Sequence, residues 1–481
     1  MKKFFSFALS LMFIISLSAC RTKGSELANT PKKDTEKVEL NFWNLFDDTE
    51  IFRGQIQDYQ SKHPNVTIRY KKFTNVAEYE DLLINEIAEG EGPDVFAIHQ
   101  SWVDKHKKKI SPFPIGETSV PLNAQIFADT FFATAAKDLI RDGEIFGIPL
   151  SIDSLALYYN KQLFRDNVPN TDKPGETWEE IKKQAELITR EDNSLERFSV
   201  AGIAMGRGDN IRRASDILYA LMLEQGSVLF NEAQTKAIFA LSQGVLAGTG
   251  KPLFPFLEAL KLYSSFANPI YKNYSWNKSI TSLSTQAQEL NPFLRGKVAM
   301  IFAYSYLYED LASMAHQMKT QGEEVIPLDD IGIIEFPQFS SFAERGKKDA
   351  LADYFPLTVS RNSKHSDYAW DFIQYLSSQK SLVDYHEKTH KPTSRKDLVD
   401  EQMLEPLYGV FARQASYAKS FPSMNIVSPD FLKEVFLQAM SDALANKKEL
   451  SKITFKAQEQ VNCQLEKQEK RGEVNVNCLE I

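Results

Sequence analysis

Apolar and polar residues alternate one by one through Val38-Glu39-Leu40-Asn41-Phe42-Trp43, the period of a half-buried strand. The period then changes. Residues 48–62 place Phe52, Ile56 and Tyr59 on one helical face, and His63-Pro64-Asn65 ends that helix. Val66, Ile68 and Tyr70 alternate again, and residues 77–88 carry the stripe Tyr79, Leu82, Leu83 and Ile87. After the break Gly90-Glu91-Gly92-Pro93, Asp94-Val95-Phe96-Ala97-Ile98 reads as a third strand. Strand–helix–strand–helix–strand over so short a span predicts a parallel sheet, because parallel neighbours need crossover connections. Ligands of such sheets sit beyond the carboxyl ends of the strands. Those ends carry Trp43, Asn44 and Asp47, then His99, Gln100, Ser101 and Trp102. A lone His99 at such a tip reads as a hydrogen-bonding surface residue rather than a base.

The stretch from Ile145 to Phe164 organises the rest. Gly147-Ile148-Pro149 is an extended turn that no regular helix tolerates. Ser151-Ile152-Asp153-Ser154 alternates, and Leu155-Ala156-Leu157-Tyr158-Tyr159 is apolar without interruption, as in a strand covered on both faces of a parallel sheet. Asn160 is placed to cap the next helix. Asp153 is therefore expected at an exposed corner, as a ligand group or a solvated hinge residue. Thr177-Trp178-Glu179-Glu180 forms a capping box, with Trp178, Ile181, Ala185 and Ile188 inward. Helices are clearest at 216–224 and 255–266. Val298 to Phe302 is a buried strand running out at Ala303-Tyr304-Ser305-Tyr306. Another strand spans 331–336, and helices follow over 366–378, from Pro429 and from Ser451.

Composition narrows the class. The 481 residues suit two domains or lobes. Hydrophobic residues at 43% supply real cores, and a net charge of −8 argues against general nucleic-acid binding. Lys2 and Lys3, the apolar run Phe4 to Leu17 and the small residues before Cys20 read as a secretory signal. Residues 21–37 have no apolar period and read as a flexible tether. No G-x-S-x-G, H-E-x-x-H or phosphate-cradling loop occurs, and neither a cofactor nor a metal is expected.

Several motifs in order resemble the sugar-type extracellular solute-binding proteins, the maltose-binding-protein-like receptors of bacterial ABC importers. They are the G-x-P turn, acidic residue and strand ending Tyr159-Asn160-Lys161, then the T-W-E-E opening at Thr177. Phe293-Leu294-Arg295-Gly296-Lys297-Val298-Ala299-Met300 matches the F-x-x-G-K-x-A-M signature, Tyr354 to Ser360 resembles the return crossing, and Ala369-Trp370 opens an A-W-x-F-I-x-Y-L helix. Leu17-Ser18-Ala19-Cys20 resembles a lipobox, in which the Cys is acylated and becomes the mature N-terminus. With Cys20 lipidated, Cys463 and Cys478 remain, and an exported chain is expected to join them in a disulfide; metal binding by two isolated thiols is disfavoured.

The resemblance implies a two-lobe α/β periplasmic-binding-protein fold of type II, each lobe a mainly parallel sheet flanked by helices, with hinge crossings near Pro149 and Pro356. It divides the chain into signal 1–19, tether 20–37, lobe 1 at 38–148 plus 356–397, lobe 2 at 149–355 plus 398–460, and a clipped tail at 461–481. It implies a monomeric receptor, lipid-anchored outside the cytoplasmic membrane, that hands a carbohydrate to permease subunits. Sugar rings stack on aromatic planes while their hydroxyls need polar partners. The expected ligand set is therefore Trp43, Asn44, Asp47, Gln100, Ser101, Trp102, Asp153, Trp276, Tyr304 and Tyr306, with Trp276 open to a second reading as loop packing. Known sugar receptors often carry Gly and Trp where Tyr304 and Tyr306 stand. Two other functions stay open. A surface-tethered glycan-processing enzyme would need two facing carboxylates, for which Asp47 and Asp153 are the candidates. A sensory co-receptor would bind without transport.

Overall fold

In the computed structural model, residues 36–114, 122–192, 197–245, 249–280, 288–340, 347–422, 427–445, 449–469 and 477–480 are described. The signal, Cys20 and most of the tether lie outside them.

The alternation at the start of the chain builds the first sheet. Its strand order is Val66–Phe73, Val38–Leu45, Val95–Ala97, Leu357–Ser360 and Ile110–Ser111. Val38–Leu45 pairs parallel with both neighbours, as the crossover logic predicts. The returning strand Leu357–Ser360 lies antiparallel between its own two neighbours. Phe42 meets Phe52, Tyr70 and Phe372 edge-on, which seats the helices Thr49–Lys62 and Ser366–Leu376 on one face. Trp43, one residue on, turns to the opposite face against Phe73. The helix Val76–Glu89 begins where the Asn75 side chain accepts the Ala77 and Glu78 amides and ends at Gly90 in the left-handed region. The Tyr79 hydroxyl ties it to the Ala97 carbonyl at 2.6 Å.

The second sheet orders Met300–Ala303, Ala156–Asn160 and Ile331–Ile334. Both pairings are antiparallel, which corrects the expected mainly parallel sheet in this lobe. All five residues Ala156–Asn160 are buried. Cover on both faces yields an unbroken apolar run whichever way the neighbours point. Gly332 opposes Tyr159 in register, and a Cβ there would meet the Tyr159 ring at 2.2 Å, so only glycine admits the ring. The Thr177–Glu180 capping box is present and starts the helix Trp178–Ile188. Trp178 packs on Phe302 and Phe336. Asn160 caps Lys161–Asn167 by accepting two amide hydrogens.

Two late helices join this second body. Pro429–Leu444 brings Phe436 against Phe239 and Phe256. A disulfide joins Cys463, in the helix Leu450–Glu469, to Cys478. Gln460 donates to the Leu479 carbonyl at 2.7 Å, so the short turn after the bridge lies on that helix.

Three extended segments run side by side between the two sheets. Ile148 and Leu357 exchange backbone hydrogen bonds of 2.9 Å each way. Further along, Asp153–Ser154 pairs antiparallel with Ala352–Asp353. A third segment passes where Ser151 bridges Thr393, and Ser394 Oγ donates to the Pro149 carbonyl at 2.6 Å. Asp138 fastens the helix Ala133–Leu139 to this strip, accepting from the Tyr354 hydroxyl at 2.8 Å and Ser420 Oγ at 2.7 Å.

Candidate functional site

Register places two carboxylates together. Asp153 and Asp353 are direct antiparallel partners, so their side chains leave the strip on one face. Asp153 is buried, not at an exposed corner. It accepts the Ser154 amide at 2.7 Å, the Ser305 amide at 3.0 and 3.1 Å, and Ser305 Oγ at 2.7 Å. The polar corner is covered because the Tyr304–Tyr306 turn folds over it. Burial pushes its carboxyl up to about 6 despite the Ser305 bonds. Burial also acts against ionised Asp353, yet His99, Lys433 and Arg213 outweigh it and pull the group down to about 2.

The first-lobe wall starts at Phe46. The strand continues to Leu45, so the tip lies beyond Trp43 and Asn44. Phe46 has φ +70°, and the Asp47 amide donates back to the Leu45 carbonyl at 2.9 Å, a γ-turn centred on Phe46. This strained turn leaves the ring 44% exposed, 5.8 Å from Phe355. Asp47 and Asn44 are nearly buried and engaged within their own lobe. Asp47 pairs with Lys391, accepts the Tyr385 hydroxyl at 2.8 Å and meets Asn44 Nδ2 at 3.4 Å. Lys71 lies 4.6 Å over the Trp43 ring.

At the third strand tip, His99 Nδ1 lies 2.6 Å from Ser101 Oγ and Nε2 lies 2.6 Å from Asp353 Oδ1. Its ring packs with Trp102 and Phe355 at 5.6 and 5.0 Å. Ser101 and Gln100 have no exposed surface. Neither amide atom of Gln100 has a hydrogen-bond partner among the described residues.

The second-lobe wall is the tyrosine pair. Tyr304 and Tyr306 stack with centroids 6.4 Å apart and planes 21° apart. Tyr304 donates to Asp216 at 3.2 Å, and its ring is buried, while Tyr306 is only partly covered. The Arg213 guanidinium lies 4.9 Å from the Tyr304 ring and 5.7 Å from the Tyr306 ring, contacts the Tyr306 hydroxyl, and stands 3.4 Å from Asp216. Trp276 does not join this group. Its indole N–H donates to Asn210 at 2.9 Å inside the core, with no exposed surface, so the loop-packing reading describes its contacts.

The structure thus gathers Asp153, Tyr304 and Tyr306 around the strip, and Gln100, Ser101 and Trp102 around His99. Sequence reasoning passed over Phe46, Arg213, Asp216, Asp353 and Phe355 and discounted His99. The signals were faint: a bulky apolar residue just before Asp47-Asp48, an Arg-Arg step before an apolar helix, and an acid at the return crossing. Among the described residues no cluster of three or more metal-ligating side chains occurs, and no helix is long and apolar enough to cross a membrane.

Two sheets that aim strand tips and aromatic rings across a three-segment hinge define a two-lobe binding protein. The chain belongs to the family of bacterial extracellular solute-binding proteins, whose profile matches residues 54–407. Its fold is that of the GacH receptor of Streptomyces glaucescens, with a TM-score of 0.66 and 17% identity, covering 89% of this chain and 99% of that one. A cyclo/maltodextrin-binding protein solved with maltotetraose gives a TM-score of 0.67 at 18% identity, over 91% of this chain and 98% of that one. Among curated relatives, a multiple sugar-binding protein of Streptococcus mutans is 20% identical over 83% of this chain and 86% of its own length. A putative binding protein of Brucella abortus is 23% identical over 66% of this chain, and the match spans 66% of that relative.

Proposed function

We propose that this protein is the receptor of an ABC importer and captures a carbohydrate between its lobes, releasing it unaltered to permease subunits. The observation that carries the reading is the tyrosine pair of one wall, set beside Arg213 and Asp216, with Asp353 and His99 on the hinge side. Such a surface offers planes for the C–H faces of a sugar and charged hydrogen-bond partners for its hydroxyls. The sugar ligands of the structural neighbours and of the Streptococcus relative support it. Ligand contacts with both walls favour the closed arrangement of the lobes.

Tyr306, Phe46 and Phe355 supply the stacking surface in this reading, with Tyr304 and Trp102 packed behind them, and Asp353, Asp216, Arg213 and His99 the polar contacts. Asp153 acts from beneath by fixing the Tyr304–Tyr306 turn. Lobe 1 comprises 38–148 plus 356–397, and lobe 2 comprises 149–355 plus 398–460. Acylated Cys20 holds a monomer to the outer face of the cytoplasmic membrane, and more than one acyl chain is needed for stable anchoring. The protein carries no reaction. Against hydrolysis stand the contacts that hold both carboxylates within the protein, Lys391 and Tyr385 on Asp47 and the Ser154 and Ser305 donors on Asp153.

A thermal-shift screen against mono- and oligosaccharides, neutral and acidic, tests the reading. At a hundredfold excess over Kd, a ligand adds about 2.7 kcal/mol of stability. A chain that no sugar stabilises, or that returns a cleaved oligosaccharide, refutes it.

A further inference from the structure

Beside the tyrosine pair lies a cavity of about 410 Å³, lined in part by Gly208, Arg212, Arg213, Ser215 and Gln288. None of its lining residues is acidic. Arg213 belongs to both places, since it lines the cavity and reaches both tyrosine rings. Arg212 is exposed, and its guanidinium pairs with no carboxylate among the described residues.

Of the two arginines Arg213 has an ion-pair partner, Asp216, while Arg212 has none among the described residues. Asp216 is shared between the Tyr304 hydroxyl and Arg213. Glu289 is buried and accepts the Arg212 backbone amide at 3.3 Å, and burial raises its pKa. Burial raises that of Asp310 as well, against the pull of Arg212 and Arg213. The cavity lining itself carries two guanidinium groups and no acid, and a concave wall of one sign focuses its field on whatever enters. A guanidinium fork matches the paired oxygens of a carboxylate or phosphate.

We propose that the solute is an anionic carbohydrate, with a carboxylate or phosphate group seated between Arg212 and Arg213 while an adjoining ring lies on Tyr306. This rests on the carbohydrate-receptor reading and adds the charge of the ligand to it. The two arginines act on the same oxyanion chemistry in both cases, and the choice of probes separates a uronic acid from a sugar phosphate.

Calorimetry on the purified chain compares trigalacturonate with maltotriose, and glucose 6-phosphate with glucose, at low salt and at 0.15 M. One anionic probe is expected to bind at least tenfold more tightly than its neutral counterpart, with the preference shrinking as salt rises. Whichever pair shows the preference identifies the acidic group. Arg212→Gln should cut it about tenfold, and Arg213→Lys, which keeps the charge but loses the fork, should weaken it in part. Arg212 is exposed, so its replacement leaves folding intact, which the unfolding midpoint verifies. Neutral sugars bound as well as anionic ones, or a preference untouched by Arg212→Gln, would overturn the inference and leave the receptor reading standing. If all four probes fail to bind, both fall.

Discussion

His99 Nε2 lies 2.6 Å from Asp353 Oδ1, a contact that joins the third strand tip of the first lobe to the return crossing. Asp353 is also the register partner of Asp153. Like charges directly opposite one another destabilise a pair of strands. Here their proton affinities are driven apart, with Asp353 at about 2 and Asp153 at about 6. Near pH 5 the strip therefore carries one full negative charge in place of two.

Asp353, held below its ordinary value of 3.8, stabilises the fold above that pH, and the contribution disappears as pH falls toward 2. Its side chain is 36% exposed, so solvent screening limits the effect to about 1 kcal/mol. His99→Gln is expected to lose about that much at pH 7 and to flatten the acid limb. Urea midpoints at pH 7, 4 and 2.5 measure it, and identical acid limbs in the two proteins would contradict the assignment.

Asp138 has the opposite sign. Burial raises it to about 6 against the pull of its two hydroxyl donors. The folded state binds this proton more tightly than the unfolded chain, so stability is highest below about 4 and declines as pH rises through 6. Asp138→Asn should remove this part of the decline. The slope of Tm against pH between 4 and 7 reports it, and an unchanged slope excludes Asp138 as its source.

Phe46 pays for its position with backbone strain. Glycine accepts φ +70° freely, and the exposed ring contributes little burial. Phe46→Gly should leave stability unchanged or raise it by about 1 kcal/mol while weakening ligand binding several-fold. Phe46→Ala should weaken binding equally and keep the strain. Equal Tm values for the Gly and Ala variants would remove strain from the account.

Among the described residues Ser305 supplies the one side-chain donor to Asp153. Ser305→Ala leaves a buried carboxylate short of a partner and should cost about 1–3 kcal/mol. Because the same serine sits between Tyr304 and Tyr306, ligand affinity should fall too. Denaturant unfolding and a binding titration separate the two losses.

The bridge between Cys463 and Cys478 closes 15 positions of chain. Loop-closure entropy sets its contribution at no more than about 3 kcal/mol. Reductant should lower Tm modestly and leave ligand affinity unchanged, since both cysteines lie on the terminal helix and tail, away from the hinge. A loss of affinity on reduction would place the clip within the site's support.

Much of the frame was legible in the chain because it depends on local period and local chemistry. Alternation at Val38–Trp43, the stripe of Tyr79, Leu83 and Ile87, the capping box at Thr177 and the turn at Gly147-Ile148-Pro149 each answer to neighbours a few residues away. The direction of the strands beside Ala156–Asn160 was not legible, because burial on both faces writes the same apolar run for either direction. Nor was the burial of Asp153, which depends on a serine 152 positions further on. His99 finds Asp353 across 254 positions, and Arg213 finds Tyr306 across 93. Sequence alone determined the elements with a clear local period, their order and the extended turn at Gly147-Ile148-Pro149. Tertiary structure decided which charges meet, since a side chain's polar partner is set by how distant segments close in space and leaves no periodic trace in its own neighbourhood.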